Sequence, residues 1–406
     1  MKGIPSYKVY LSTRFVESLL FTSIVTVNLV YQVTVVGLNP LQLVLVGTLL
    51  EAVSFLSEIP TGLLADVYSR KLSTVIGVIL IGLGFIIEGS FPTLFFVMLS
   101  QIVWGVGFTF VSGAREAWIT DEIGEKKANK AFLHAEQFSQ FGAIIGIVIS
   151  VALASINIRL PIILGGAFYS IWGICLAFLM KEEHYHPTPV GERPSWNHVI
   201  QTFLKSAKLV RGHPILLTII AISGVFGMFS EGFDRLWTPY IMQFTFPAIG
   251  NLKLIIWFGI ISLVGMVLTI GATEISKRQV DASNHQSVSR YLLGINLLLI
   301  ISVIMFGLAV NFTWAIIAYW FIYFLRETNN PLQYAWLNQN VTPAIRATVF
   351  SMSNQSNALG QIILGPIMGL VATIFSLRVA MIGSGMILIP IIFLYLFTIR
   401  KHKLMA

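Results

Sequence analysis

A single cysteine, Cys175, in 406 residues leaves no room for a disulfide framework or a Cys-rich metal site. Charge is scarce too: 11% of the residues are charged, against about 25% in an ordinary soluble domain. The seven histidines are scattered, without HExxH or comparable ligand spacing. There is no glycine-rich phosphate loop and no nucleophile elbow, so neither ATP nor a serine-type hydrolysis has its usual apparatus. No loop is long enough to hold a separate catalytic domain. The opening MKGIPSYKVY lacks a small-residue cleavage site and reads as the start of a retained helix.

Apolar residues are what is abundant. The chain is 56% hydrophobic with a mean hydropathy of +0.81, so most of it must sit in lipid. Windows long enough for a membrane helix, roughly 20 to 25 residues, fall at about 14–36, 41–65, 72–90, 94–118, 132–155 and 160–180. Six more follow at about 214–241, 253–275, 289–309, 312–336, 347–374 and 378–399. The expectation is an all-α polytopic membrane protein of twelve transmembrane helices, in two six-helix pseudo-repeats. Residues 1–180 form the first bundle, 181–213 a linker and 214–406 the second bundle.

The 26 lysines and arginines give the orientation. With the amino terminus inside, nineteen fall on the cytoplasmic side and three (Arg159, Lys253, Arg378) in outer loops; Arg14, Arg115, Arg235 and Arg326 lie inside windows. Both termini are therefore expected in the cytoplasm. The basic pI of 9.5 is then a product of topology, and nucleic acid need not be invoked as a partner. Within the linker, residues 195–212 place Val199, Ile200, Phe203, Leu204 and Ala207 on one face, the pattern of a helix lying on the inner membrane surface or of a solvated linker helix.

An offset of 218 residues brings the chain into register with itself: Ala117-Trp118 lies over Ala335-Trp336, Phe132 over Phe350, Gln137 over Gln355 and Gly142 over Gly360. Duplication of a six-helix unit explains the register, an organisation common in secondary transporters, whose sites lie between the halves.

Between the second and third windows stands Gly62-Leu-Leu-Ala-Asp66-Val-Tyr-Ser-Arg70-Lys71. It resembles the motif at this place in the major facilitator superfamily; Gly62, Asp66, Arg70 and Lys71 match, while Val67 and Ser69 depart. Gly62 would permit close helix approach, Asp66 could meet a cation or a helix N-terminus, and Arg70 could reach Asp121. These residues are expected to form a gating latch. Two exporter signatures are imperfect: Gln101 stands where an arginine is usual, and Gly142-x-x-x-Gly146 lacks its proline, although Gly365-Pro366 appears in the second half.

Several charges fall within the windows, where each must be neutralised, paired or wetted, since a charge at the bilayer centre starts at about 2.5–3.5 kcal/mol. Glu51 and, seven residues on along the same face, Glu58 are candidates for proton coupling, with a structural hydrogen bond or ion pair as the competing role; Glu88 is a third candidate, whose competing role is to snorkel to the outer surface. Arg326 could bind an anionic substrate group or pair with a facing acid; separately, Glu231, Asp234 and Arg235 sit in the outer part of the seventh window. Polar candidates for a substrate cavity are Asn28, Tyr31, Gln32, Gln137, Gln140, Glu231, Arg326, Asn354 and Gln355, accompanied by Phe21, Trp104, Phe141 and Tyr323. Trp237 and Tyr240 read as interface anchors.

Together with SEIPTGLLADVYSRK and SGAREAWITDEIGE, the three glutamates are similar to those of the drug:proton antiporter branch, which includes tetracycline efflux proteins of Gram-positive type and, more distantly, macrolide exporters. That resemblance implies efflux of amphipathic drugs such as tetracycline across a bacterial cytoplasmic membrane, driven by the proton gradient with no cofactor and no ATP. The partners implied are a small molecule, protons and the bilayer; one chain holds both halves and could act as a monomer. Carriage of a physiological metabolite, a sugar or peptide, is the alternative.

Overall fold

A computed structural model describes residues 5–185, 210, 212–247, 254–279, 285–341 and 346–405. Among them every regular element is helical: α1 (Ser6–Thr34), α2 (Pro40–Val67), α3 (Arg70–Ser90), α4 (Leu94–Val111), α5 (Ala114–Ile123), α6 (Glu125–Ile156), α7 (Leu160–Leu179), α8 (Pro214–Ile241), α9 (Leu254–Gln279), α10 (His285–Gly307), α11 (Phe312–Asn340), α12 (Arg346–Ile374), α13 (Leu377–Ile387) and α14 (Ile389–Met405). The amphipathic helix expected over 195–212 lies almost wholly outside the described residues.

Eleven spans among the described residues are long and apolar enough to cross a bilayer, α4–α5 and α13–α14 each counting as one. The twelfth expected span, α11, is a 29-residue helix whose second half carries Arg326, Glu327, Asn329, Asn330 and Gln333, which lower its hydropathy. Large apolar side chains cover the outside, with Phe178 83% and Leu56 72% exposed. Water would not tolerate such a surface; lipid does. The molecule is a multi-pass membrane protein.

Two windows expected as single helices are broken. The fourth divides at Ser112-Gly113, where Gly113 has φ +76°, a conformation that an L-residue reaches only at a cost of about 1–2 kcal/mol. The last divides at Leu388, because Pro390 has no N–H to continue the ladder. α1 begins eight residues earlier than expected, since hydropathy undervalues its polar first turns.

Contacts divide the chain into two compact units: residues 1–38, 49–194 and 250–262 make the first, and 39–48, 195–249 and 263–406 the second. In the first unit, α1 packs on α6, and α3 on α4 and α7; the core is Ile24, Val27, Tyr31, Val78, Ile81, Phe85, Trp118 and Tyr169. In the second, α8 packs on α12 and α10 on α11 and α13. Small residues set these distances. A Cβ at Gly142 would collide with the Phe15 carbonyl of α1, and one at Gly360 with the Gly224 carbonyl of α8. Residues aligned by the 218-residue register thus make the same backbone approach in each unit. Trp118 and Trp336, also aligned, are both fully buried.

Candidate functional site

Four groups of polar side chains stand out, three in the first unit and one in the second. At the end where α2 turns into α3, Ser69 caps α3 by accepting from the Leu72 N–H at 2.9 Å. Its own hydroxyl donates to Glu182 Oε2 at 2.6 Å, and the Arg70 and Lys71 N–H groups donate to Glu182 Oε1 at 2.8 and 3.1 Å. A carboxylate thus sits on the positive end of α3, but it comes from the segment after α7. Asp66 does not fill that place. It approaches Arg70 Nη2 at 3.7 Å, while Arg70 Nη1 donates to Asp121 Oδ2. Glu182 gave no sequence signal beyond being one acid in a polar stretch.

The segment Lys181–Tyr185 is strapped over this turn. Trp118 Nε1 donates to the Lys181 carbonyl at 2.6 Å, and Glu122 Oε1 accepts from the Glu183 and His184 N–H groups at 2.8 and 3.0 Å. The Tyr185 hydroxyl donates to the Asp66 carbonyl at 2.7 Å. Burial, with the Glu182 carboxylate nearby, pushes this phenol up, so it remains a donor at neutral pH. Beside Gly62 there is open space, so the close helix approach expected there is made elsewhere, at Gly142 and Gly146.

Toward the other end of α3, Glu88 is fully buried. Gln32 Nε2 donates to its Oε1 at 2.8 Å; Ser100 Oγ and Gln101 Nε2 approach its Oε2 at 2.9 and 3.3 Å. The Tyr31 hydroxyl holds the Glu88 carbonyl at 2.7 Å, and Trp104 Nε1 orients Gln101 at 3.1 Å. The Ser100 hydroxyl is also 2.7 Å from the Val97 carbonyl. One hydroxyl hydrogen cannot serve two acceptors. Pointed at Glu88 it stabilises a carboxylate; pointed at Val97 it leaves Ser100 Oγ free to accept from a protonated Glu88.

Nearer the α4–α5 break, a cavity of about 570 Å³ is lined by the charged Arg14, Glu17, Arg115 and Glu116 and the aromatic Phe21, Trp104, Phe108 and Tyr169. Arg115 Nη1 donates to Glu17 Oε2 across 98 residues of sequence, and its Nε and Nη2 donate to Glu116 Oε1 at 3.2 and 3.0 Å. The sequence marks Arg115 as an intramembrane cation but does not reveal Glu17 as its partner.

In the second unit, a cavity of about 340 Å³ is lined by Ser230, Asp234, Arg326, Asn330, Gln333 and Asn354 among others. Arg326 donates to both Asp234 oxygens, at 2.5 and 2.8 Å, and lies over the Phe229 and Phe233 rings at 5.5 and 5.9 Å. Pairing is therefore its role in this structure.

The other expected site residues are dispersed. Glu51 is half-buried and Glu58 exposed on α2. Tyr31 and Gln32 serve Glu88, with Asn28 accepting from Gln32 at 3.3 Å. Gln137 is exposed; neither it, Gln140 nor Gln355 borders either cavity. Glu231 is buried one turn before Asp234, accepting from Arg235 Nε at 3.1 Å. Tyr240 is not an interface anchor: it is buried, donating to the Gly307 carbonyl at 2.9 Å, while Trp237 stacks on Tyr319 at 4.3 Å.

The sequence matches the Major Facilitator Superfamily over residues 10–326. It is similar to an uncharacterized MFS-type transporter, YxaM, of Bacillus subtilis strain 168, with 23% identity over 355 residues, 87% of this chain and 86% of that one. The fold is similar to that of a bacterial homologue of the human lysosomal transporter Spinster, inward-facing and unoccupied (TM-score 0.75, 16% identity, 98% of each chain). The nucleoside transporter NupG aligns with TM-score 0.75 and 14% identity over 98% of this chain and 100% of that one. A peptide transporter, POT, in complex with sulfate aligns with TM-score 0.73 and 14% identity over 98% and 94%.

Proposed function

Because this chain belongs to the major facilitator superfamily and is thus a transporter and not an enzyme, we propose that it exports amphipathic compounds in exchange for protons across the bacterial cytoplasmic membrane, both termini inside. The observation that carries the reading is Glu88, a buried carboxyl whose hydrogen-bond nest suits either protonation state by the turn of one hydroxyl. A coupling carboxyl needs that property, because it must hold and release a proton as access alternates. The aromatic and charged walls of the first unit's cavity suit a compound with an apolar body and a polar end. The arginine and lysine distribution supports the orientation. Energy comes from the proton gradient, with no cofactor. The Asp66–Arg70–Asp121 contacts, closed here, act as the latch of one access state. Glu51 and Glu58 remain secondary candidates for the proton.

The test is tetracycline uptake into inverted vesicles under an imposed inside-acid gradient, for wild type, Glu88→Gln and Glu51→Gln. Gradient-dependent uptake by wild type and its loss in Glu88→Gln are expected. Undiminished uptake in Glu88→Gln would remove Glu88 as the coupling group, and no uptake by abundant wild-type protein would remove tetracycline. A second reading, carriage of a hydrophilic metabolite, is favoured by the serine, asparagine and glutamine lining of the second unit's cavity. The same vesicles challenged with a labelled nucleoside and a dipeptide, the cargoes named for two fold relatives, distinguish it.

A further inference from the structure

Glu17 is 5% exposed, yet only one of its oxygens is used. Oε2 takes Arg115, whereas Oε1 is buried and accepts no hydrogen bond among the described residues. A buried acceptor left unmade is unfavourable, and more so when charged. Arg115 is differently placed, because Glu116 already engages its Nε and Nη2. The other cation at this cavity, Arg14, lies 3.6 Å from Glu136. Both cations are therefore matched by carboxylates, and the unmet demand is for a donor. The same cavity is lined by Phe21 and Trp104, and aromatic ring faces attract cations. An anionic ligand would push a carboxylate off an arginine and leave it without a cation; a cationic one takes the place of Arg115 on Glu17 while Arg115 keeps Glu116.

We propose that this cavity is the recognition site for a protonated amine bearing at least one N–H, which donates to Glu17 while its apolar body lies against Phe21 and Trp104. Oε1 is closed off in this structure, so entry requires Arg115 to move wholly onto Glu116, opening the Glu17 carboxylate to the cavity. Arg115 then keeps a carboxylate partner throughout, and no buried charge is stranded. The proposal rests on the transport reading for the kind of compound carried, and on the Glu17 geometry for the site.

The experiment is isothermal titration calorimetry at pH 7 on the purified full chain in detergent, without any gradient. The probes are propranolol, an aromatic secondary amine, and its N-methylated quaternary derivative, which carries the charge but no N–H. Saturable propranolol binding is expected, at least tenfold tighter than the quaternary form, and Glu17→Gln should abolish that tenfold preference. Equal affinity of the two probes for wild type, absence of propranolol binding, or an unchanged preference in a Glu17→Gln protein with wild-type melting would each overturn the proposal. The wild-type comparison decides the matter if the variant does not fold. Intact binding beside failed proton-driven uptake would refute exchange while leaving the amine site standing.

Discussion

Replacing Gly107 with alanine is a direct test of how the first unit is held together. A Cβ there would lie 2.7 Å from the Gly77 carbonyl oxygen and 2.8 Å from the Ile81 nitrogen on α3. Carbon–oxygen contacts settle near 3.3 Å, so α3 and α4 must part by about 0.6 Å, and both obstacles are backbone atoms that no rotamer change can move. Overpacking of this kind costs roughly 1–3 kcal/mol. Alanine recovers about 1 kcal/mol of helix propensity, leaving a net loss of up to about 2 kcal/mol. Gly62→Ala is the control: its Cβ would meet open space in α2, so only the propensity gain of about 0.5–1 kcal/mol applies. The two substitutions therefore have opposite signs. At about 2–4 °C per kcal/mol for a unit of this size, Gly107→Ala should lower the apparent melting temperature by up to about 8 °C and Gly62→Ala should raise it slightly. Tryptophan fluorescence in detergent at one fixed heating rate reads both, the fixed rate being needed because unfolding of such proteins is commonly irreversible. A Gly107→Ala protein that melts at or above wild type would refute the packing account.

Glu182→Ala removes the acceptor of Ser69 Oγ and of two N–H groups at the start of α3, and should cost about 1–2 kcal/mol, read as faster hydrogen exchange at residues 70–72. Gly113→Ala forces an L-residue to φ +76° and should lower stability by about 1–2 kcal/mol, whereas Gly113→Asn should be milder. Tyr185→Phe loses one hydrogen bond to the Asp66 carbonyl, about 1 kcal/mol or less, and should loosen the strap without unfolding it, as shown by proteolysis after Lys181. Its raised phenol pKa means that the strap is fully bonded below about pH 10, the ordinary tyrosine value, and loosens only as pH climbs through the higher folded value; loosening between pH 7 and 9 in wild type would contradict this.

The latch was partly legible: Arg70 and Asp121 could be paired from their places at two window ends, because short loops constrain which ends are neighbours. Glu182 could not, since nothing local says that the chain leaving α7 folds back over α3. Glu88 is visible in the sequence only as an acid near the outer end of its window, able to snorkel to the surface and ranked below Glu51 and Glu58; its burial and its donors from α1 and α4 come from the packing of three helices. Tyr31 and Gln32 were recognised as polar residues in an apolar helix, yet a cavity and a hydrogen-bond nest have the same signature in one dimension.

What the sequence determined alone is the set of apolar spans, their alternation and the duplicated register, because hydropathy is a sum over neighbours and lipid imposes its length on every helix. Tertiary structure alone decided which charges meet. Arg115 finds Glu17 98 residues away and Arg326 finds Asp234 at 92. Such partners depend on the rotation and separation of whole helices, which are set where glycine lets two backbones touch, as at Gly142 and Gly360. A shift of one residue in that packing would turn each side chain about 100° and dissolve the pair.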